Sequence, residues 1–342
     1  MSSTPTTAKH VLIVDRKTDW GDDYAVERAR WTPLGIKLAL AQCQTEEEII
    51  AAGEKADVLV YQGLYTPFSA RVLAALPRCQ FIIRYGIGMD SVDLPAATGQ
   101  GILVGNAAEY CIPEVADHAA ALILALARRV VFQDRAVQAG HWLGGIQRAR
   151  EMSRLSTLTL GLAGFGRIGR QAARRLAPFF GDIIAYDPYV SQEAAGKYGV
   201  TLVELAGLLA RSDFVSIHTP LLPSTYHLID AAGLARMKPT AFIVNTSRGP
   251  VIDEAALAQA LQSGRIAGAA LDVAEVEPLP ADSPLRGLDN VIITPHIAAN
   301  SAESLQDLRA SVAHSVAEVV QGYWPPYVLN PAVQPRFPLK KR

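Results

Sequence analysis

Short runs of apolar residues recur along this chain of 342 residues, and stretches with helical character separate them. Most of the runs are apolar throughout instead of alternating with polar residues, as expected for strands that are buried on both faces of a parallel sheet. Such an alternation of strands and helices predicts an α/β protein with doubly wound parallel sheets. The predicted strands span residues 10–15, 56–61, 81–85, 102–104, 157–163, 182–186, 214–218, 241–245, 267–273 and 291–294.

The number of predicted strands is too large for one small open sheet and indicates two domains. A prior of about 150 residues per domain gives the same number for this length. The longest helical pattern spans residues 113–139 near the middle of the chain, with Pro113 in its first turn. It either crosses from one domain to the other or is an ordinary core helix. A second helix, over residues 301–321, could make the return crossing.

Composition excludes several classes of protein. Lys and Arg total 32 and Asp and Glu total 33, so a net charge of −1 gives no overall field for holding nucleic acid or an anionic membrane. The longest purely apolar run, residues 119–127, is far shorter than the ~20 residues that span a bilayer. Cys43, Cys79 and Cys111 form neither a metal spacing nor a disulfide framework. We therefore expect a cytoplasmic protein without a bound metal.

A glycine motif, Gly164-x-Gly166-x-x-Gly169, follows the predicted strand 157–163. In a dinucleotide-binding turn the first glycine allows the tight turn, the second lets the backbone approach a pyrophosphate, and the third lets helix and strand pack closely. The next predicted strand leads to Asp187, 18 residues after Gly169, where a carboxylate can accept both adenine-ribose hydroxyls. An ordinary glycine turn is the alternative, but strand, glycines, helix, strand and acid in this order favour dinucleotide binding.

Three later strands are followed by polar residues. Arg248 follows the strand 241–245, Glu277 lies in the loop after the next strand, and His296 follows the last strand. Ligand groups gather at the carboxyl ends of strands in open α/β sheets, so the three are expected to form one site. An arginine can hold a carboxylate through paired hydrogen bonds, and a histidine oriented by a carboxylate can transfer a proton near neutral pH. Taken singly, a surface ion pair, a solvated loop acid and a capped strand end are the structural alternatives.

Further motifs occur along nearly the whole chain, and in them it resembles the D-isomer-specific 2-hydroxyacid dehydrogenase family. Within the family it is most similar to the branch with C-terminal-binding proteins and phosphoglycerate dehydrogenase-like enzymes. The resemblance implies a Rossmann cofactor domain that binds NAD and a flavodoxin-like substrate domain. The motifs are Arg84-Tyr85-Gly86-Ile87-Gly88-Met89-Asp90-Ser91-Val92-Asp93, Glu114-Val115-Ala116-Asp117-His118, the glycine motif, and residues 184–189, 237–249, 271–272, 277–278 and 294–297.

The resemblance implies roles for the candidate catalytic residues. Arg248 binds the carboxylate and keto oxygen of the substrate, His296 donates the proton in reduction and accepts it in oxidation, and Glu277 pairs with that imidazole. The backbone N–H groups of Ile87 and Gly88 complete the carboxylate site. The expected reaction is hydride transfer between NAD and C2 of a D-2-hydroxyacid or 2-ketoacid, in a cleft between the two domains.

The resemblance also implies the cofactor contacts. Asp272 holds the nicotinamide carboxamide, the backbone of Arg167 and Ile168 touches the pyrophosphate, and Asp187 binds the ribose. His218, at a strand end, is expected to line the cofactor cleft and not to act in catalysis. The complete predicted cofactor set is Gly164, Gly166, Arg167, Ile168, Gly169, Asp187, His218, Thr219, Thr225, Thr246, Asp272 and His296.

The chain departs from the common family pattern at two places, which leaves the identity of the acid open. Pro250 stands where a small residue is frequent, and no aromatic residue follows His296. Tyr65, Tyr85 and Met89 either shape the substrate pocket or are packing residues. His118 and His314 are interpreted as helix histidines without a role in the reaction.

We predict that residues 106–298 form the NAD-binding domain and that residues 1–105 with 299–342 form the substrate domain. The resemblance implies a homodimer built through the long helix and the segment 133–150, which contains His141 and Trp142. An NAD-sensing corepressor-like interaction protein on the same fold is the alternative, although the intact set of catalytic candidates favours an enzyme. A Rossmann hydrolase that retains its NAD is a third interpretation.

Overall fold

The computed structural model describes residues 9–14, 24–63, 66–142 and 152–342. It contains two compact units. The split unit comprises Met1–Tyr110 and Ser301–Arg342, and the central unit comprises Cys111–Asn300. Each has a parallel sheet, which confirms the predicted class of two doubly wound α/β domains.

The sheet of the split unit has the strand order β2-β1-β3-β4-β5, and every pair is parallel. The order reverses between β1 and β3, which makes this a flavodoxin-like doubly wound sheet. The edge strand β2 is mostly exposed and was not predicted, because only strands buried on both faces give continuous apolar runs. The strands are β1 (His10–Val14), β2 (Lys37–Ala41), β3 (Val58–Tyr61), β4 (Phe81–Arg84) and β5 (Leu103–Gly105).

Helices from both chain segments cover the sheet of the split unit. They are α1 (Ala25–Trp31), α2 (Glu46–Gly53), α3 (Ala70–Ala74), α4 (Leu94–Gly99) and α12 (Ala302–Val320). The helix α2 begins at a reciprocal capping box between Thr45 and Glu48. The apolar face of α12, with Val312 and Val316, packs in one cluster with Phe81 of β4. The second chain segment therefore supplies part of the covering of this sheet face.

A buried ion pair joins the two chain segments of the split unit. Glu27 of α1 is fully buried, and its carboxylate accepts hydrogen bonds from Arg309 of α12 at 3.1 and 2.6 Å. The hydroxyl of Tyr85 donates to the same carboxylate at 2.8 Å. Burial and the charge of Glu27 raise the pKa of Tyr85 well above its ordinary value. Tyr85 thus stays a neutral donor inside the unit.

The central unit has a sheet with the order β8-β7-β6-β9-β10-β11-β12, again parallel throughout. The order reverses between β6 and β9, as in a Rossmann fold. Apolar residues pack on both faces. The strands are β6 (Thr159–Ala163), β7 (Asp182–Tyr186), β8 (Thr201–Leu202), β9 (Phe214–Ile217), β10 (Phe242–Asn245), β11 (Gly268–Leu271) and β12 (Val291–Ile293).

The prediction of a single long helix over residues 113–139 is wrong, because the chain forms two helices there. Arg129 has a left-handed backbone (φ 54°), which ends one helix and starts the next. Its guanidinium lies 5.3 Å from the ring centroid of Phe242 and 5.8 Å from that of Phe132, where it contacts both aromatic faces. The helices of this unit are α5 (Ile112–Ala127), α6 (Val130–Gln138), α7 (Arg167–Leu176), α8 (Gln192–Gly196), α9 (Leu205–Arg211), α10 (Ala231–Arg236) and α11 (Glu254–Gln262).

Cys43, Cys79 and Cys111 are buried. Burial raises the pKa of Cys79 to about 12, so this thiol stays protonated at neutral pH. Within the described ranges no helix is long and apolar enough to cross a membrane. The same residues contain no cluster of His, Cys, Asp and Glu that could hold a metal ion.

Candidate active site

The glycine motif forms the turn between β6 and α7. Gly164 has a φ of +99°, and a Cβ there would lie 2.7 Å from the backbone carbon of His218. A Cβ at Gly169 would lie 2.3 Å from the carbonyl oxygen of Gly164, so the helix packs on the turn only without a side chain. A Cβ at Gly166 would meet no atom within 4 Å. The backbone is thus packed tightly against other protein atoms at Gly164 and Gly169 and is open at Gly166, as a pyrophosphate-binding turn requires.

Asp187 lies beside this turn at the end of β7. One oxygen of its carboxylate accepts the N–H of Phe165 at 2.8 Å, and the other accepts the N–H of Tyr189 at 2.9 Å. A carboxylate has about four lone-pair sites, so both oxygens can still accept a ribose hydroxyl. The helix α7 begins at Arg167, which puts the N–H groups of Arg167 and Ile168 in a first turn without intrahelical acceptors.

The loops after β9 and β10 continue the same edge of the sheet. The hydroxyl oxygens of Thr219 and Thr246 are buried there, and neither has a hydrogen-bond partner within the described part of the chain. A buried hydroxyl without a partner costs free energy. A dinucleotide carries hydroxyl, amide and phosphate groups that can bond such hydroxyls. With the open glycine turn, these two orphaned groups make the residues present a good fit for NAD.

Two other predicted cofactor residues have hydrogen-bond partners that are close to them in sequence. The Nε2 of His218 lies 3.0 Å from the hydroxyl of Ser216, and burial lowers the pKa of His218 to about 4. This ring is therefore neutral at neutral pH. The hydroxyl of Thr225 donates to the carbonyl of Pro220 at 2.6 Å and accepts the N–H of Leu222 at 2.8 Å. Thr225 thereby shapes its loop.

Glu277 and His296 come together, as the sequence predicts. The Nδ1 of His296 lies 2.7 Å from one carboxylate oxygen of Glu277, and the N–H of Ala274 donates to the other at 3.1 Å. Burial raises the pKa of Glu277, but the bond and charge of His296, the Ala274 N–H and the charge of Arg248 together hold that pKa below its ordinary value. Glu277 is therefore ionised at neutral pH, and the Nε2 of His296 remains available to a ligand.

Arg248 reaches this pair because the loop after β10 is tightly folded. The side chain of Asn245 donates to the carbonyl of Arg248 at 2.9 Å and accepts the N–H of Ser247 at 3.0 Å. A Cβ at Gly249 would lie 1.9 Å from the backbone of Ala274, so the loop touches the segment that leads to Glu277. The guanidinium of Arg248 donates to the carbonyl of Ser247 at 2.7 Å.

Asp272, which the sequence predicts as a cofactor contact, also organises the turn that carries His296. Its buried carboxylate accepts the N–H of Ile297 at 3.0 Å, the N–H of Ala298 at 2.9 Å and the hydroxyl of Thr294 at 2.5 Å. No local sequence pattern predicts this contribution. The only signal for it was that Thr294 stands in a motif shared with the family.

In the split unit, the loop after β4 has an unusual arrangement of peptide groups. The carbonyl of Gly86 accepts the N–H of Ala107 at 3.1 Å. The carbonyl of Ile87 accepts the Nδ2 of Asn106, and that of Gly88 accepts the Nη1 of Arg84, both at 2.6 Å. A peptide N–H points away from its own carbonyl. Fixing the carbonyls of residues 86 and 87 therefore aims the N–H groups of Ile87 and Gly88 away from these partners.

The structure gives packing roles to two of the three suggested pocket residues. Tyr85 bonds Glu27 inside the split unit, and the sulfur of Met89 lies 3.3 Å from the hydroxyl of Tyr61. Tyr65 lies outside the described residues. Pro250 occupies the first turn of a short 3₁₀ helix, Gly249–Val251, where its missing N–H costs nothing.

Comparison with known proteins gives the family. Residues 120–298 match the model of the NAD binding domain of D-isomer specific 2-hydroxyacid dehydrogenases. Over 290 residues the chain is 41% identical to a glyoxylate reductase of Korarchaeum cryptofilum, which covers 84% of this chain and 87% of that protein. The chain belongs to the D-isomer specific 2-hydroxyacid dehydrogenase family. The predicted cofactor, NAD, is confirmed by the same match.

Other members of this dehydrogenase family differ in length and in named activity. A D-3-phosphoglycerate dehydrogenase of Mycobacterium leprae is 41% identical over 283 residues, which are 83% of this chain and 53% of that protein. The chain thus spans about half the length of these relatives. A crystal structure of D-lactate dehydrogenase from Aquifex aeolicus, complexed with NAD and lactic acid, superposes with a TM-score of 0.81 at 28% identity. The superposed region covers 91% of this chain and 96% of the D-lactate dehydrogenase chain.

Proposed function

We propose that this protein catalyses hydride transfer between NAD(H) and C2 of a D-2-hydroxyacid or 2-ketoacid. The observation that carries the proposal is the contact of 2.7 Å between His296 and the ionised Glu277, with Arg248 close enough to lower the pKa of that carboxylate. Bound NAD supplies or accepts the hydride. The protein residues bind the acid, orient it and move the proton.

The proton transfer is assigned to the Nε2 of His296, because Nδ1 faces Glu277. In reduction Nε2 donates a proton to the oxygen on C2, and the charge of Glu277 stabilises the imidazolium that precedes this step. In oxidation Nε2 accepts the proton of the hydroxyl. Glu277 also fixes the ring orientation, as a carboxylate does for a catalytic histidine.

The substrate carboxylate is assigned to Arg248 and to the loop 86–88. A guanidinium forms paired hydrogen bonds with a carboxylate, which fixes orientation as well as charge. The N–H groups of Ile87 and Gly88 point away from the groups that fix this loop. An anion can bind to adjacent N–H groups of this kind. We accordingly assign the split unit to the substrate and the central unit to NAD.

The test is turnover of a panel of acids with NADH, followed by the loss of NADH absorbance. The names of the relatives suggest glyoxylate, pyruvate and 3-phosphohydroxypyruvate, and hydroxypyruvate belongs in the panel. The proposal expects saturable oxidation of NADH with at least one acid. Binding of NADH without turnover of any acid would favour the corepressor-like alternative. A hydrolase would release product from its own substrate without net NADH consumption.

We also propose a homodimer that uses the helix α6 and the segment after it. Val130, Val137 and Trp142 are exposed there, and 78% of Trp142 is accessible to solvent. Residues 143–150 of the predicted arm lie outside the described part. Light scattering at micromolar concentration should give the mass of a dimer, and a monomer would contradict the proposal. The cytoplasmic location stays a prediction from composition.

A further inference from the structure

A chain of hydrogen bonds leads from the helix α5 to the turn that carries His296. The Nε2 of His118 lies 3.0 Å from the hydroxyl oxygen of Thr294 and 3.6 Å from a carboxylate oxygen of Asp272. The same hydroxyl lies 2.5 Å from that carboxylate oxygen. Asp272 is 1% exposed, so the carboxylate at which these hydrogen bonds end is shielded from solvent.

The direction of these hydrogen bonds follows from the number of protons. A carboxylate only accepts, so the single hydroxyl proton of Thr294 must be donated to Asp272. The oxygen of Thr294 must then accept from the Nε2 of His118, which therefore carries a proton. The order is His118 N–H to Thr294 O–H to the Asp272 carboxylate. A threonine that accepts and donates at once is fixed in its rotamer.

The turn needs such support because its backbone is strained. His296 has a φ of +51°, a left-handed conformation that is uncommon for a residue with a side chain. Its own N–H donates to the carbonyl of Asp272 at 2.8 Å, and the next two N–H groups donate to the Asp272 carboxylate. The position of the imidazole thus depends on Asp272, and the position of Asp272 depends on its donors.

We propose that His118 is a positioning residue, which acts through Thr294 and Asp272 to hold His296 in place for proton transfer. The kinetic test of this inference rests on the proposed function, whereas the NMR test described below does not. His118 does not touch the reacting atoms, so its removal should lower the rate of the proton-transfer step without abolishing turnover.

The kinetic test compares His118→Leu, which removes the donor, with His118→Gln, whose amide can still donate. For each NADH-binding site, His118→Leu is expected to lower kcat by about tenfold and to increase the solvent isotope effect on kcat. His118→Gln should recover most of the rate. His314→Leu, which removes a histidine from α12, is the control and should match the unmodified protein. A kcat of His118→Leu within twofold of the unmodified protein would overturn the proposal.

A double-mutant cycle with Thr294→Val tests whether the two residues act in one chain. If they do, the variant with both changes should be no slower than Thr294→Val alone. Multiplicative losses would show independent effects and would contradict the chain.

NMR of the histidine rings tests the chain without any turnover. The proposal expects an Nε2–H signal of His118 that is protected from exchange with solvent. In Thr294→Val this signal should be lost, and the resonances of the His296 ring should shift in the same variant. An unprotonated Nε2 at neutral pH would overturn the hydrogen-bond order. If no acid in the panel is reduced, the proposed function fails while this measurement still decides the positioning role.

Discussion

At the scale of single residues, the candidate site combines a histidine, the carboxylate that contacts it and an arginine whose charge acts on that carboxylate. Glu277 accepts a hydrogen bond from the Nδ1 of His296, which lowers the pKa of Glu277, and the charge of Arg248 lowers it further. An ionised carboxylate orients the ring, and an arginine nearby attracts an anionic substrate to the same place. Each residue therefore has a separable effect on rate, pH profile or substrate affinity.

Replacing His296 by glutamine should lower kcat at least ~100-fold, because general acid catalysis contributes about 10²–10⁴. Glu277→Gln removes the charge and keeps the shape, so it should change the pH profile of the rate without abolishing turnover. Steady-state kinetics over a range of pH separate the two effects. A nearly normal kcat in His296→Gln would refute the proton-transfer role.

Arg248→Lys should raise KM for ketoacids sharply and leave the affinity for NADH almost unchanged, because an ammonium group cannot reproduce the planar guanidinium fork. KM and the melting temperature are measured on one preparation. If Arg248 only supports the structure, the melting temperature falls instead and the folded fraction keeps its KM.

His218 should make the stability of the central unit depend on pH. Burial lowers its pKa from 6.5 to about 4, so between these values the unfolded chain binds a proton that the folded unit does not. Stability from the neutral ring is therefore present above the unfolded pKa and is lost as pH falls toward 4.

The test of this pH dependence is urea unfolding without NAD, with His218→Gln as the matched variant. The difference in unfolding free energy between the unmodified protein and this variant should shrink by about 2 kcal/mol from about pH 7 to about pH 5. A difference that does not depend on pH would show that His218 is not buried in its neutral form.

At the scale of elements, we expect the glycine turn, α7 and the end of β7 to act together in binding the cofactor. Asp187 bonds the turn through Phe165 and presents its carboxylate at the end of β7. The same negative charge opposes the 2′-phosphate of NADP. The three residues after Asp187 are Pro188, Tyr189 and Val190, which offer no cation for a phosphate.

We accordingly predict a preference for NADH over NADPH of at least ~10-fold in kcat/KM, which corresponds to about 1.4 kcal/mol. Asp187→Ser should reduce this preference, mainly by removing the repulsion. The comparison of kcat/KM with both cofactors, for both proteins, is the measurement. Equal use of NADH and NADPH by the unmodified protein would contradict the assignment of Asp187 to the ribose.

The elements also show where sequence patterns succeed and fail. The buried inner strands, the C-terminal helix α12 and the glycine turn are encoded locally, and the sequence predicts them. The edge strands β2 and β8 were not, because residues exposed on one side give no continuous apolar run. The break at Arg129 depends on Phe242, which is far away in sequence. The role of Asp272 in the turn was missed for the same reason, since its partners come from α5 and from the segment after β12.

At the scale of the whole molecule, the split unit is held together by Glu27 and Arg309, which are 282 positions apart. Arg309→Met should destabilise this unit by about 3–5 kcal/mol, because it leaves a buried carboxylate without its partner. Combining it with Glu27→Gln removes the charge, keeps an acceptor for Tyr85, and should restore much of the loss. Arg71, whose partners Glu46 and Glu47 are on the surface, is the control, and Arg71→Ala should leave the urea midpoint unchanged. Equal midpoints for Arg309→Met and Arg71→Ala would contradict the prediction.

The interruption of the split unit by the central one also sets an order of events on the ribosome. Proteins usually fold from the N-terminus as they emerge, at about 5–20 residues per second. Here β1 to β5 emerge first, but the face that α12 covers stays open while Cys111–Asn300 is translated, for about 10–40 s. The nascent chain thus completes its second unit before its first. During that interval Phe81 and its neighbours form an apolar surface that a chaperone can occupy until α12 emerges and displaces it.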